Sequence, residues 1–225
     1  MSLITIACLD MAGTTVADDG GVLAAFAAAV ERGGLVPGTA AHRQAMLIAG
    51  TSMGQSKIEV FRRIFGDEIP AHQANETFEE CYAATVTSGG VAPVPGAAEV
   101  ITRLGGAGIR VCLLTGFAPA TRDAVIGALG WWPLIDLALS PADAGRGRPW
   151  PDLPLTALLR LGGGAVSELA VVGDTASDIE SGLRAGAGLV AGVLTGQADR
   201  DELARAKAPA ILDSVAELPS LLGLG

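Results

Sequence analysis

The hydrophobic pattern of this chain changes character after its first strand and again near residue 90. An apolar run climbs from Leu3 to Leu9, stops at Asp10 and breaks into Ala-Gly-Thr-Thr, which predicts a strand over about residues 3–10 closed by a carboxylate. From about residue 21 to 88 the apolar positions recur with helical spacing, interrupted by polar breaks. An alanine-rich stretch over 22–32 closes on Arg-Gly-Gly, a helix C-cap signal. The segment TSMGQSKIEVFRRIFG opens on Ser52 with Gln55 three residues on, a capping-box spacing. Ile58, Phe61 and Phe65 then share one face, and Gly66 ends the helix. Another helix is predicted over 70–87, and TSGGVAPVPG reads as a linker.

Beyond the linker the period alternates. Helices over about 96–106, 119–129, 152–161 and 177–185 are interleaved with strands over about 109–114, 135–139, 168–173 and 188–194, and a last short unit falls near 209–223. This alternation predicts an α/β fold built on a doubly wound parallel sheet, whose ligands bind beyond the carboxyl ends of the strands. The helical block after the first strand then reads as an inserted α-helical cap domain. The core domain is expected over 1–16 and 91–225, and the cap over 17–90. Internal repeats and charge runs are absent.

Composition narrows the partners. With 225 residues, half of them hydrophobic, the chain can bury a sizeable core. No apolar stretch approaches the roughly 20 residues that span a bilayer. The N-terminus lacks a basic segment followed by a long apolar one, so no signal peptide is expected. A formal charge of −9 argues against nucleic acid or an anionic membrane as partner. Cys8 and Cys112 lie inside the runs ITIACLD and IRVCLLTG and read as small buried hydrophobes. No metal-type cysteine spacing occurs, and a reduced, cytoplasmic setting fits. His42 and His72 read as surface residues, and Trp131 and Trp132 as packing beneath a loop.

The chemistry gathers at strand ends. Asp10 closes the first strand, Thr115-Gly116 the next, and Asp174 a later one, with Asp178 four residues on. Arg148 lies in the loop AGRGRPWPD. Any one of these taken singly reads as a helix N-cap or a turn residue. Together they set carboxylates, a hydroxyl and a guanidinium along one edge of one sheet.

The ordered stretches DMAGTT, LLTGF and VVGDTASD, with a helical insert after the first, resemble the haloacid dehalogenase superfamily. The resemblance spans essentially the whole chain. It implies that Asp10 is a nucleophile toward phosphorus and that Mg²⁺ is held by Asp10, the Ala12 carbonyl and Asp174, with Asp178 nearby. It also implies that backbone N–H groups of Met11, Ala12, Gly13 and Gly116, with the Thr115 hydroxyl, bind phosphoryl oxygens. Most phosphatases of the superfamily carry a second aspartate two residues after the nucleophile, to protonate a departing alkoxide. Here that position is Ala12, so ester hydrolysis should suffer.

The same feature is found in the phosphonoacetaldehyde hydrolase (phosphonatase) branch, which this chain resembles in three coupled positions. That branch has Asp-x-Ala-Gly-Thr-Thr, a cap lysine in a Met-Gly-x-x-Lys stretch that forms a Schiff base, and an arginine in Gly-Arg-Pro-x-Pro. Here these are Asp10 with Ala12, Met53-Gly54 with Lys57, and Arg148. With only two lysines against thirteen arginines, a lysine in the motif is not the default cation. Its place at a helix start, near Arg148, would disfavour the ammonium. The bland alternative, a solvated or phosphate-binding lysine, stays open at this point. Other branch positions do not match: the histidine three after the lysine is Val60, the linker cysteine falls near Gly20, and the tyrosine after Thr-Gly is Phe117.

The resemblance therefore implies a Mg²⁺-dependent hydrolase that cleaves the C–P bond of a 2-oxoalkylphosphonate, with Asp10, Lys57 and Arg148 as its catalytic set. A phosphomonoesterase of the same superfamily and a catalytically silent phosphate-binding regulatory domain are the alternatives. The expected partner is a small-molecule phosphonate or phosphate, with a homodimer compatible with the reading.

Overall fold

A computed structural model describes residues 4–224. Leu3, at the start of the expected first strand, lies outside them. The first strand, β1, runs Ile6–Asp10 and leads into four helices: α1 (Gly21–Arg32), α2 (Ala40–Thr51), α3 (Lys57–Phe65) and α4 (Glu68–Thr87). The rest alternates as α5 (Ala97–Gly106), β2 (Arg110–Leu114), α6 (Pro119–Ala128), β3 (Leu137–Leu139), α7 (Pro141–Ala144), α8 (Asp152–Arg160) and β4 (Leu169–Gly173). It ends with α9 (Ala176–Ala185), β5 (Leu189–Val193), α10 (Arg200–Arg205), β6 (Ala210–Leu212) and α11 (Leu218–Leu221).

The six strands form one sheet in the order β3-β2-β1-β4-β5-β6, and every pairing is parallel. This is the doubly wound architecture expected from the alternation. β1 and β4 are buried along their whole length, which is why they read as near-continuous apolar runs rather than alternating ones. Cys8 and Cys112 are register partners on β1 and β2, fully buried, and burial pushes the Cys112 thiol up. Among the described residues no helix is long and apolar enough to cross a membrane.

Between β1 and α5 the structure departs from expectation in two places. The chain over 40–51 forms a separate helix, α2, whose buried residues are only Ala45 and Ala49. Ser52 is not an N-cap: it follows α2, and its hydroxyl donates to the Ile48 carbonyl. Gly54, in the turn after α2, takes φ +79°, and a Cβ there would lie 2.6 Å from Thr175 Oγ1. The next helix starts only at Lys57. Its end is as predicted, with Gly66 in the left-handed region at φ 69°.

An aromatic cluster ties this segment to the sheet domain's loops. Phe26 of α1 packs 5.1 Å from Phe61 and 4.8 Å from Phe78, and Phe117, in the loop after β2, lies 4.6 Å from Tyr82. Trp131 is buried as expected, but Trp132 is 47% exposed, since neighbours on a tight 3₁₀ turn cannot both face inward. His72 is exposed beside Glu68; His42 is half-buried, its Nε2 3.5 Å from Glu31.

Candidate active site

The turn after β1 is built by its two threonines. The Thr14, Thr15 and Val16 N–H groups all converge on the Met11 carbonyl, and the Thr15 hydroxyl donates to the Asp10 carbonyl at 2.8 Å. Gly13 takes φ +89°, and a Cβ there would sit 2.5 Å from Asp174 Oδ2. Only glycine lets the turn come this close to the β4 end. Asp174 is held by the Gln197 N–H at 2.8 Å and the Thr14 hydroxyl at 3.3 Å.

Asp178 sits in the first turn of α9. It caps that helix, accepting from the Thr175 N–H at 3.1 Å and from the Thr175 hydroxyl, while its other oxygen meets Arg148. Arg148 Nη1 also donates to Asp10 Oδ1 at 2.5 Å. Its Nε and Nη2 are buried and have no acceptor among the described residues. One face of the guanidinium is thus committed to carboxylates, and two donors are free for another anion.

Asp10, Asp174 and Asp178 are all buried, and one oxygen of each lies within 4.8 Å of the others. Burial foremost, then the neighbouring carboxylates, pushes Asp174 well up. Asp10 is raised to about 6, chiefly by burial, with Arg148 pulling the other way. Burial works against the Arg148 guanidinium, yet Asp10 and Asp178 outweigh it and hold its pKa above the ordinary value. Three buried carboxylates against one guanidinium leave an excess of negative charge, and an oxygen-rich donor set of this kind fits a hard divalent cation.

Lys57 is the first residue of α3 and is only 5% exposed. Its backbone N–H donates to the Gly116 carbonyl at 3.3 Å, and Gly116 must be glycine because a Cβ would lie 2.2 Å from the Gln55 carbonyl oxygen. The MGQS turn therefore lies directly on the loop after β2. The Lys57 amine is ringed by Phe26, Phe78 and Phe117 at 5.6, 5.8 and 5.4 Å from their centroids. Three of the chain's five phenylalanines are spent here. Burial foremost, then Arg148, lowers the Lys57 pKa to about 8.

A crevice of about 20 Å³ is lined by Asp10, Ala12, Met53, Gly54, Lys57 and Arg148, among others. Thr115, Gly116 and Asp174 line it as well. A wider cavity of about 660 Å³ opens in front and shares Lys57, Gly116, Phe117 and Arg148 with it. Met11 is buried beside it in the turn, and the Thr115 hydroxyl accepts the Phe117 N–H at 3.1 Å. Of the residues expected at the strand ends, Asp10, Thr115, Gly116, Arg148 and Asp174 thus meet at one crevice, whereas Asp178, paired with Arg148, does not line it. Thr14, Thr15 and the phenylalanine ring were not singled out by sequence. The adjacent threonines of DMAGTT carried a signal, since hydroxyls after a strand end commonly bond backbone; the rings, drawn from three distant segments, carried none.

A buried lysine of lowered pKa has a stability consequence. The unfolded chain holds the proton up to about pH 10.5 and the folded one only to about 8, so stability rises with pH between these values and the full penalty is present below 8. Lys57→Met should remove it, making the protein more stable at pH 7 by roughly 3 kcal/mol at ~1.4 kcal/mol per tenfold. Urea unfolding at pH 7 and 9.5 checks this: the gap between variant and wild type should narrow at the higher pH, and equal stability at pH 7 would contradict it.

Comparison with known proteins adds to this geometry. A family model described as haloacid dehalogenase-like hydrolase matches residues 4–186. The phosphonoacetaldehyde hydrolase of Bacillus cereus is 32% identical over 145 residues, covering 62% of this chain and 53% of that protein. A Dickeya dadantii protein named "Probable phosphatase IndB" is 32% identical over 124 residues, covering 55% of this chain and 53% of its own length. In these alignments the chain spans about half the length of the curated relatives it matches. A crystal structure described as a phosphonoacetaldehyde hydrolase like protein from Oleispira antarctica superposes with a TM-score of 0.82 at 26% identity, covering 98% of this chain and 91% of that one.

Proposed function

We propose that this chain, which belongs to the haloacid dehalogenase-like hydrolases, cleaves the carbon–phosphorus bond of a small 2-oxoalkylphosphonate such as phosphonoacetaldehyde. The observation that carries this reading is the Lys57 amine, buried in a ring of phenylalanines at the same crevice as Asp10 and brought to a pKa of about 8. A phosphate ester has no use for a neutral amine there; an aldehyde or ketone does.

In this reading Lys57 attacks the substrate carbonyl and, with loss of water, becomes an iminium. The two unpartnered Arg148 donors, with the N–H groups of Ala12 and Gly116, hold the phosphonate oxygens; contrary to the expectation from sequence, the Met11 and Gly13 N–H groups are already given to the Leu114 and Val16 carbonyls at 3.1 and 2.7 Å. Asp10 attacks phosphorus, and the electron pair of the breaking C–P bond passes into the iminium to give an enamine. A departing carbon needs an electron sink rather than a proton donor, which is consistent with Ala12 where an acid would otherwise stand. Water then hydrolyses the aspartyl phosphate, and protonation and hydrolysis of the enamine free Lys57. Asp10, Asp174, Asp178 and the Ala12 carbonyl would hold Mg²⁺, which when bound offsets the repulsion between the Asp10 carboxylate and a phosphonate dianion.

The test is product formation. Incubation with phosphonoacetaldehyde and Mg²⁺ should release phosphate and acetaldehyde in equal amounts, and EDTA should stop both. Turnover of ordinary phosphate esters, with 2-oxoalkylphosphonates untouched, would replace this reading with a phosphomonoesterase, as the name of the Dickeya relative suggests. Phosphate binding without turnover of either class would indicate a regulatory domain.

A further inference from the structure

Imine formation at Lys57 needs a proton acceptor and donor, and the residue three positions on, Val60, is buried and apolar. One carboxylate beside the cavity has no part in the chemistry above. Glu79 of α4 directly follows Phe78, one of the three rings around the amine, and lines the same cavity of about 660 Å³ as Lys57. Its Oε1 accepts the Ala118 N–H at 3.1 Å, so the loop after Phe117 fixes the side chain. Its Oε2 is buried and has no hydrogen-bond partner among the described residues. Leaving such an oxygen unpaired is unfavourable, a penalty that a structural role does not explain.

The rival carboxylates are placed less well. Asp18 also has a buried unpartnered oxygen, Oδ2, but its Oδ1 accepts the Val22 N–H at 3.2 Å and it lines neither cavity. Glu59 lines the wide cavity but is exposed and paired with Arg62 at 2.5 Å. Asp10 faces the crevice where phosphorus must sit. The charged groups acting on the Lys57 amine are Arg148, Asp10, Glu79 and Asp18.

We propose that Glu79 is the proton-transfer carboxylate of imine formation at Lys57, an inference that rests on the reading of Lys57 as the Schiff-base amine. Glu79 takes a proton from the Lys57 ammonium, the freed amine adds to the carbonyl carbon as the C=O π pair moves to oxygen, and a proton passes from the nitrogen to that oxygen to give a carbinolamine. Glu79 returns the proton to the carbinolamine hydroxyl, which leaves as water while the nitrogen lone pair forms the C=N bond. The iminium is left beside a carboxylate, and atoms and charge balance.

The experiment follows the rate at which a borohydride-trappable adduct appears on the Lys57 peptide after mixing with phosphonoacetaldehyde, from pH 6 to 9.5. It uses the wild type, Glu79→Gln, Glu79→Ala and Asp18→Asn. The amide oxygen of Glu79→Gln can still accept from Ala118, so the fold is kept, which circular dichroism and Tm verify. Glu79→Gln should form the adduct about 100-fold more slowly at every pH, the usual scale of a lost general acid–base. Glu79→Ala should be equally slow and accelerate at least tenfold in formate, which the cavity admits; Asp18→Asn should stay within a few-fold of wild type.

If Glu79 acts only through its charge, Glu79→Gln will shift the profile to lower pH and regain the wild-type rate there, which overturns the proposal. Slow Glu79 variants without a formate response also overturn it, as does a loss confined to Asp18→Asn. A wild type that gives no adduct sinks the Schiff-base reading and this proposal together. A wild type that is trapped alongside an equally fast Glu79→Gln variant sinks this proposal alone.

Discussion

Lys57→Arg is expected to abolish C–P cleavage while keeping the positive charge. A guanidinium stays protonated at any working pH and cannot become an iminium. Phosphate release from phosphonoacetaldehyde should fall by roughly 10³-fold or more, which is about 4 kcal/mol of barrier at ~1.4 kcal/mol per tenfold. If Lys57 served only to attract the phosphonate, arginine would retain much of the rate, because Arg148 already shows that a guanidinium is accommodated against these carboxylates. The companion measurement is mass spectrometry after borohydride reduction with substrate. In the wild type the adduct should fall on the peptide carrying Lys57 and not on Lys207, the only other lysine, which is exposed. An active Lys57→Arg enzyme without an adduct would transfer the protein to the phosphomonoesterase reading.

The sheet and its order of helices were legible because buried parallel strands leave continuous apolar runs and the helices between them a different period. The same logic explains the missed α2. It buries only two alanines, so its inward face carries almost no hydrophobic contrast. The misplaced start of α3 has another cause. Ser52 and Gln55 have a capping-box spacing, but Gly54 between them must adopt φ +79° to let the turn reach Thr175, and that close approach belongs to tertiary structure. Asp10, Thr115 and Asp174 could be placed from the pattern, since strand ends define one edge. The environment of Lys57 could not: Phe26, Phe78, Phe117 and Glu79 come from α1, α4 and the loop after β2, and no local spacing links them. Burial by these rings, rather than the helix terminus, is the first cause of the lowered Lys57 pKa.

Asp10→Asn should separate the two halves of the reaction. An amide cannot form the aspartyl phosphate, so phosphate release is expected to drop by on the order of 10⁴-fold or more, as for the loss of other nucleophiles. Imine formation does not use Asp10, so borohydride should still trap substrate on Lys57 in this variant, whereas Lys57→Arg shows neither product nor adduct. The fold should survive and even gain. Asp10 is raised to about 6 in the folded protein, chiefly by burial, against 3.8 for the free group. Between these values the folded state holds a proton that the unfolded chain has lost, so stability falls as pH rises through the window and the full penalty remains at pH 7. Asparagine removes it. In metal-free buffer Asp10→Asn should therefore melt above wild type at pH 7, with the difference shrinking toward pH 4. Wild-type phosphate release from a folded Asp10→Asn protein would eliminate Asp10 as the nucleophile. A lower Tm at pH 7 would instead mean that the pairing with Arg148 outweighs the cost of burying a third carboxylate beside Asp174 and Asp178.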